Sequence, residues 1–160
     1  CFDDDNIVHV AGKVDPIADI ETIGTELALA DLASVEKAIV REGKRAKSGD
    51  KEAQKLVALC EKLLPHLNEG LPARSAGLDA DELALLKPLF LLTAKPAMYV
   101  GNVAEDGFEN NPHLARLQAL AAKENAPVVA VCAAMESEIA ELEDEEKPSF
   151  CKKWAWKSRA

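Results

Sequence analysis

Two continuous apolar runs, PAMYVGNV (residues 96–103) and APVVAVCAA (residues 126–134), most restrict how this chain can fold. Neither alternates apolar with polar side chains, so both read as fully buried strands rather than strands with one wet face. Between them, PHLARLQALAAKEN sets Leu114, Leu117 and Leu120 on one side of a helix. An antiparallel pair needs only a tight turn, whereas strand, helix, strand in this order is a parallel crossover unit. Two or three parallel strands have faces and edges still to be covered, so the reading expects further strands upstream of Cys1. A chain that opens on Cys1 without a methionine is read the same way, as one cut from something longer.

Upstream of the first run the period changes. From Asp19 onward, Ile20, Ile23, Leu27, Leu32, Val35 and Ile39 recur at spacings of three and four, predicting one long helix with an apolar face. The polar stretch REGKRAKSGDKE then carries Gly43 and Gly49, and Leu56, Leu59, Leu63 and Leu67 resume the period until Pro65 and Gly70 disturb it. Two helices around a short basic turn predict an antiparallel hairpin. DADELALLKPL follows as a short helix with Asp79 as N-cap, and ESEIAELEDEEK as an acidic one.

At 160 residues the length suits one core. With 28 acidic against 19 basic side chains, the balance argues against a broad phosphate-binding surface and no DNA specificity is expected, while a local basic patch stays open. No apolar run approaches the roughly 20 residues of a membrane span. The four cysteines, Cys1, Cys60, Cys132 and Cys151, show no C-x-x-C or His pairing, which suggests neither zinc nor a disulfide framework and fits a reducing cytoplasm. His9, His66 and His113 are read as surface or capping residues, Asp3, Asp4 and Asp5 as an acidic loop, and no metal site is expected.

Ligands of open α/β sheets bind at the carboxyl ends of the strands, which places Asn102 at the end of the first run with Glu105 just beyond it, and Cys132, Ala133 and Ala134 at the end of the second. A carboxamide both donates and accepts, as a purine edge requires, and small residues let backbone amides approach a base. An Asn after a strand is equally a common turn residue, and the spacing alone leaves both readings open.

KPAMYVGNVAED and VCAAMESEIAEL resemble the base-recognition pair of the Obg-like ATPase (YchF) family of translation-factor-related P-loop NTPases, and CFDDDNIVHVAGKVDPIADIETIGTELALADL resembles it too. The resemblance runs from Cys1 to Lys147. It implies an α/β fold: the C-terminal part of a G-domain-like parallel sheet with an inserted helical hairpin, or coiled coil. It divides the chain into G-domain segments at residues 1–29 and 71–147, the insertion at residues 30–70, and an aberrant tail at residues 148–160. It implies a partial site for ATP or GTP, ATP preferred, with Asn102 contacting the purine, Val103 packing against it, Glu105 beside it, and the backbone of Cys132, Ala133 and Ala134 completing the pocket. In most relatives of the wider class the motif reads Asn-Lys-x-Asp; here it reads NVAE, so the short Asp that grips two guanine donors is missing.

No G-x-x-x-x-G-K-S/T occurs in the 160 residues, so the resemblance predicts half a nucleotide site, no hydrolysis by this chain alone, and Mg²⁺ only in the full-length parent. The parent is expected to be cytoplasmic, ribosome-associated, and linked to translation or redox response. Arg41, Lys44, Arg45, Lys47, Lys51 and Lys55 cluster near the hairpin tip, either as an RNA contact or as a solvated helix end.

The terminal KPSFCKKWAWKSRA is basic and holds both tryptophans, Trp154 and Trp156. Permitted codons for Pro148–Ala160, with one base restored before them, translate to AEFLQKMGLEEPG, which resembles the family's continuation. A one-base slip and a true functional tail are the two readings of this stretch.

Overall fold

The computed structural model describes residues 1–2 and 14–149. The acidic run Asp3–Asp5, His9, and the tail from residue 150 onward lie outside the described residues. The chain is α/β, with long helices and a small parallel sheet, and separates into two compact units: Ile17–Ala97, and Cys1–Pro16 together with the chain from Met98.

The first unit is a helical hairpin, α1 (Pro16–Lys47) and α2 (Lys51–Asn68), completed by α3 (Ala80–Leu86) and the irregular chain around it. The α1 stripe of Ala28, Asp31, Val35 and Ala38 is buried, and the core continues through Leu59, Cys60, Leu63 and Leu67 of α2 to Leu86 and Leu91. Burying one such leucine contributes about 1.5–3 kcal/mol, so this stripe rather than local propensity holds the hairpin.

Three expectations are corrected here. Ile23 and Leu27 are 54% and 40% exposed rather than part of the apolar face. The return chain reaches α1 at Thr25, whose Oγ1 lies 3.3 Å from where a Cβ on Gly70 would sit, so α2 does not extend alongside the start of α1. The polar stretch beginning at Arg41 is not a loop: α1 runs through Gly43 to Lys47, and only Ser48–Asp50 breaks the helix. Nor does Pro65 end α2, which continues through it to Asn68 because Leu63 and Leu67 are buried on either side. The stop is Gly70, at φ +76, with its N–H on the Leu67 carbonyl and that of Leu71 on His66, a Schellman ending.

α3 begins as expected. Asp79 Oδ1 accepts from the Glu82 amide at 2.8 Å while Glu82 Oε2 accepts from the Asp79 amide at 3.0 Å, a reciprocal capping box.

A buried carboxylate ties the end of this unit to its beginning. Asp31, 2% exposed, accepts from the Leu92 amide at 2.7 Å, the Thr93 amide at 2.7 Å and the Thr93 hydroxyl at 2.6 Å. Thr93 Oγ1 in turn accepts from the Ala73 amide at 2.9 Å, and its carbonyl from the Arg74 amide at 3.1 Å.

The second unit holds β1 (Tyr99–Asn102), α4 (Pro112–Lys123), β2 (Val128–Val131) and α5 (Ala133–Glu141). The strands pair in parallel, with Tyr99 opposite Val128 and Asn102 opposite Val131, through the crossover that the apolar runs predicted. α4 buries Leu114, Leu117 and Ala121. It lies so close to β1 that a Cβ on Gly101 would stand 3.1 Å from a methyl of each of Leu114 and Leu117. The strands are not fully buried as expected: opposite this covered face, Val100 and Val129 are 54% and 44% exposed. Side chains alternate between the faces of a sheet, so a helix on one face leaves the other set uncovered within this unit.

Candidate functional site

The parallel register brings Asn102 and Val131 level, so the chain leaves β1 and β2 side by side at their carboxyl ends. Asn102 is exposed, and its Oδ1 accepts a hydrogen bond from the Ala133 amide at 3.0 Å. Its backbone carbonyl accepts from the nitrogen of Cys1 at 2.8 Å. Ala133 and Ala134 form the exposed first turn of α5, so small side chains and helix-start amides line the surface beside Asn102.

Two predicted residues lie beneath that surface. Val103 is 1% exposed, and its amide donates to the Val131 carbonyl at 2.8 Å, extending the ladder one residue past β1. Cys132 is 2% exposed and stands at the N-cap of α5 in extended conformation. Glu105 is exposed on the loop that follows Val103.

That loop is shaped by Asn111, which sequence reasoning did not single out. Its Nδ2 donates to the carbonyls of Gly107 at 3.0 Å and Cys1 at 2.8 Å, while its Oδ1 accepts from His113 and Leu114 amides at the start of α4. One side chain thus closes the loop and caps a helix. A side chain on Gly107 would crowd this corner: a Cβ would lie 3.1 Å from Ala104 N and 3.2 Å from Asn111 Nδ2. The available signal was the Asn-Pro pair at residues 111–112, an N-cap followed by proline at the first helical position. A shallow hollow of about 350 Å³ lies beside this corner, between Phe108, Asn110, Asn111, Leu114 and Gln118, and includes none of the predicted base-binding residues.

In the helical unit, the six tip cations divide into two kinds. Arg41 Nε donates to Glu42 Oε1 at 2.8 Å; Arg45 donates to Glu42 Oε2 at 2.8 Å and to Asp50 Oδ2 at 2.7 Å. Asp50 also caps α2, its Oδ1 accepting from the Glu52 and Ala53 amides. The hydrogen bond from Arg41, helped by Arg45, holds the Glu42 carboxyl below its usual range. The Ala53 amide and then Arg45 do the same for Asp50. Arg45 is correspondingly raised, first by its bond to Asp50. Lys44, Lys47, Lys51 and Lys55 are exposed and take part in none of these pairs.

Among the described residues no group of three or more His, Cys, Asp or Glu side chains could hold a metal ion, and no helix is long and apolar enough to cross a membrane. Among the described residues there is thus no donor set for Mg²⁺. Burial pushes the Cys60 thiol up to about 11, which keeps it protonated and unreactive at neutral pH.

No family model matches the chain. It is 61% identical to the ribosome-binding ATPase YchF of Haemophilus influenzae over 150 residues, which cover 94% of this chain and 41% of that protein. The corresponding protein of Escherichia coli O157:H7 is 55% identical over the same span, and that of Bacillus subtilis 51% identical over 152 residues. The solved structure of the Schizosaccharomyces pombe YchF GTPase superposes on 96% of this chain and 43% of its own, with a TM-score of 0.79 at 29% identity. The chain therefore spans about two fifths of the length of the curated relatives it matches.

Proposed function

We propose, from its membership of the YchF family, that this chain supplies the purine-recognition half of the nucleotide site of a ribosome-associated P-loop ATPase or GTPase. The observation that carries the proposal is the meeting of Asn102 and Ala133 at the carboxyl ends of two parallel strands. Asn102, Glu105 and the first amides of α5 face a purine edge. Val103, buried, packs beneath the base, and Cys132, its side chain buried, contributes its backbone to the pocket with Ala133 and Ala134. The sheet is then part of a larger G-domain-like sheet, and the hairpin a coiled-coil insertion into it. The NVAE motif, with Glu105 where an Asp would grip guanine, favours ATP over GTP.

The sequence holds no phosphate-cradling motif, so this chain by itself binds nucleotide through the base and releases no phosphate. The test is ATP turnover and ATP titration on the purified 160-residue chain. Phosphate release abolished by Asn102→Ala would overturn the half-site reading, and base binding unaffected by that substitution would overturn the role of Asn102.

A second reading concerns the tip. Four exposed lysines outside the local ion pairs suit the phosphate backbone of RNA, and the bacterial relatives are named ribosome-binding. In this reading the hairpin is a ribosome-contacting module and the place of action is the cytoplasm, with a link to translation or redox response. Cosedimentation with ribosomes across a salt series tests it: lysine reversals that leave sedimentation unchanged would remove the module.

A further inference from the structure

Glu105 stands on a turn that Asn111 holds from its far side. Residues 104–107 form this turn, closed by the Gly107 amide on the Ala104 carbonyl at 2.9 Å, with Glu105 and Asp106 at its centre. Both central residues are exposed, so burial does not fix where the turn lies. The Gly107 carbonyl instead accepts from Asn111 Nδ2 at 3.0 Å. The other Nδ2 hydrogen goes to the Cys1 carbonyl at 2.8 Å, and the nitrogen of Cys1 donates to the Asn102 carbonyl at 2.8 Å. A chain of hydrogen bonds therefore leads from the Glu105 turn through Asn111 and Cys1 to the last residue of β1.

The Asn111 carboxamide is fully engaged. Its two Nδ2 hydrogens meet two carbonyls, and Oδ1 meets the amides of His113 and Leu114 at 3.0 and 3.1 Å. Capping α4 needs only the oxygen, which aspartate or serine would supply as well. Joining Gly107 to Cys1 needs two hydrogens on one nitrogen, which neither of those cap residues carries.

From this division of labour we infer that Asn111 is a positioning residue of the nucleotide site: it fixes the Glu105 turn relative to Asn102 so that the two act on one ligand together, without itself touching the base. The inference rests on the purine reading above. A carboxylate only accepts, and adenosine offers it an amino group and ribose hydroxyls. Glu105 can meet such a donor while Asn102 holds the base only if its turn keeps one place beside the end of β1, and a turn already held there spares the ligand the cost of ordering it.

Asn111→Asp separates the two ends of the side chain. It keeps the oxygen that caps α4 and sets a second oxygen against the Gly107 and Cys1 carbonyls, to which it cannot donate. The turn is released while the start of the helix stays. Asn111→Ser, which also keeps a cap oxygen without the donors, serves as a second variant.

The experiment titrates adenosine into the ¹⁵N-labelled 160-residue chain, the two Asn111 variants, Glu105→Gln and the double variants, with amide hydrogen exchange read on the same samples. In the unsubstituted background, Glu105→Gln weakens adenosine binding about tenfold, the size of one hydrogen bond to a charged group. Each Asn111 variant weakens it by a similar factor, speeds exchange at Gly107 and leaves His113 and Leu114 protected. Adding Glu105→Gln to either then costs no more than about twofold, because the contact it removes is already lost. A residue that served only the fold would give additive losses instead.

Glu105→Gln losses of the same size with and without an Asn111 substitution would overturn the inference. So would Asn111 variants, or Glu105→Gln, that bind adenosine as tightly as the unsubstituted chain. Each of these results leaves the purine reading at Asn102 standing. If adenosine moves neither the Asn102 nor the Ala133 amide resonance of the unsubstituted chain, the purine reading itself is overturned, and this inference with it.

Discussion

Asp31 and Thr93, 62 positions apart in sequence, are joined by two hydrogen bonds of 2.7 and 2.6 Å in the buried interior of the helical unit. One Asp31 oxygen takes both the amide and the hydroxyl of Thr93, and the other takes the Leu92 amide. Without this carboxylate, the chain returning past α3 keeps its apolar contacts but loses the acceptor for two backbone donors. Hydrogen bonds to a charged group contribute about 1.5–3 kcal/mol each, and donors left unmet add their desolvation cost. Asp31→Ala is therefore expected to destabilise the chain by roughly 3 kcal/mol or more. Thr93→Val, which removes one donor and the acceptor for Ala73, should cost about 1–3 kcal/mol. Urea unfolding of both single variants and the double variant checks this, with a coupling of at least about 0.5 kcal/mol expected because the two groups share a bond.

Stability should fall on the acid side. Glu42, Asp50 and Glu82 are each held below their ordinary values, Glu82 chiefly by its hydrogen bond from Lys62. The folded state therefore takes up these protons less readily than the unfolded one. Their contribution is whole above the ordinary carboxylate range and fades as pH drops through the lower folded values, that is, below about pH 4. A thermal midpoint series from pH 7 to pH 3 should show this decline, and Glu82→Gln should flatten part of it.

Charge changes at the hairpin tip should divide by residue type. Neutralising Lys44, Lys47 or Lys51 is expected to leave thermal stability within about 0.5 kcal/mol while lowering the salt slope of ribosome binding by about one per lysine. Arg45→Gln removes the cation shared by Glu42 and Asp50, so its main effect should be a lower unfolding temperature. Cosedimentation and melting curves on the same set of variants separate the two effects.

Gly101 should resist substitution although it lies in a strand. Its Cβ would press on Leu114 and Leu117 together at 3.1 Å, so Gly101→Ala requires two core leucines to shift, and Gly101→Val more so. A loss of about 1–3 kcal/mol is expected for the valine variant by urea unfolding, the usual cost of overpacking.

Phe90 should tolerate, and gain from, replacement. It is 78% exposed and holds a left-handed conformation at φ +51, which strains a bulky side chain by about 1–2 kcal/mol. Phe90→Asn is expected to raise stability by up to about 1 kcal/mol, seen as a higher thermal midpoint.

Features written in local chemistry were legible in the sequence. Asp79 and Glu82 announce their capping box by spacing alone, and the two β-rich runs around a leucine-striped helix announce a parallel crossover. Glycine and proline were harder, because their effect depends on what surrounds them: Gly43 and Pro65 sit inside helices that tertiary packing carries through, whereas Gly70 does end one. Asp31 was missed because a polar residue in a helix is ordinarily placed on the wet side. Yet it stands three residues from Ala28 and four from Val35, on the buried stripe itself. At the proposed purine surface, Asn102 was legible as the residue at a strand's end, but its partner was not. A bond to Ala133, 31 residues away, depends on a register that periodicity cannot specify to one residue.

That register has an error-detecting quality. α5 starts where Asn102 Oδ1 meets Ala133, and this holds only while Tyr99 stands opposite Val128. If β1 slipped by one residue, Gly101 or Val103 would arrive in place of Asn102, and neither carries a side-chain oxygen. A misaligned sheet would thus leave the following helix uncapped, so the fold inspects its own strand alignment at the surface proposed to meet the purine.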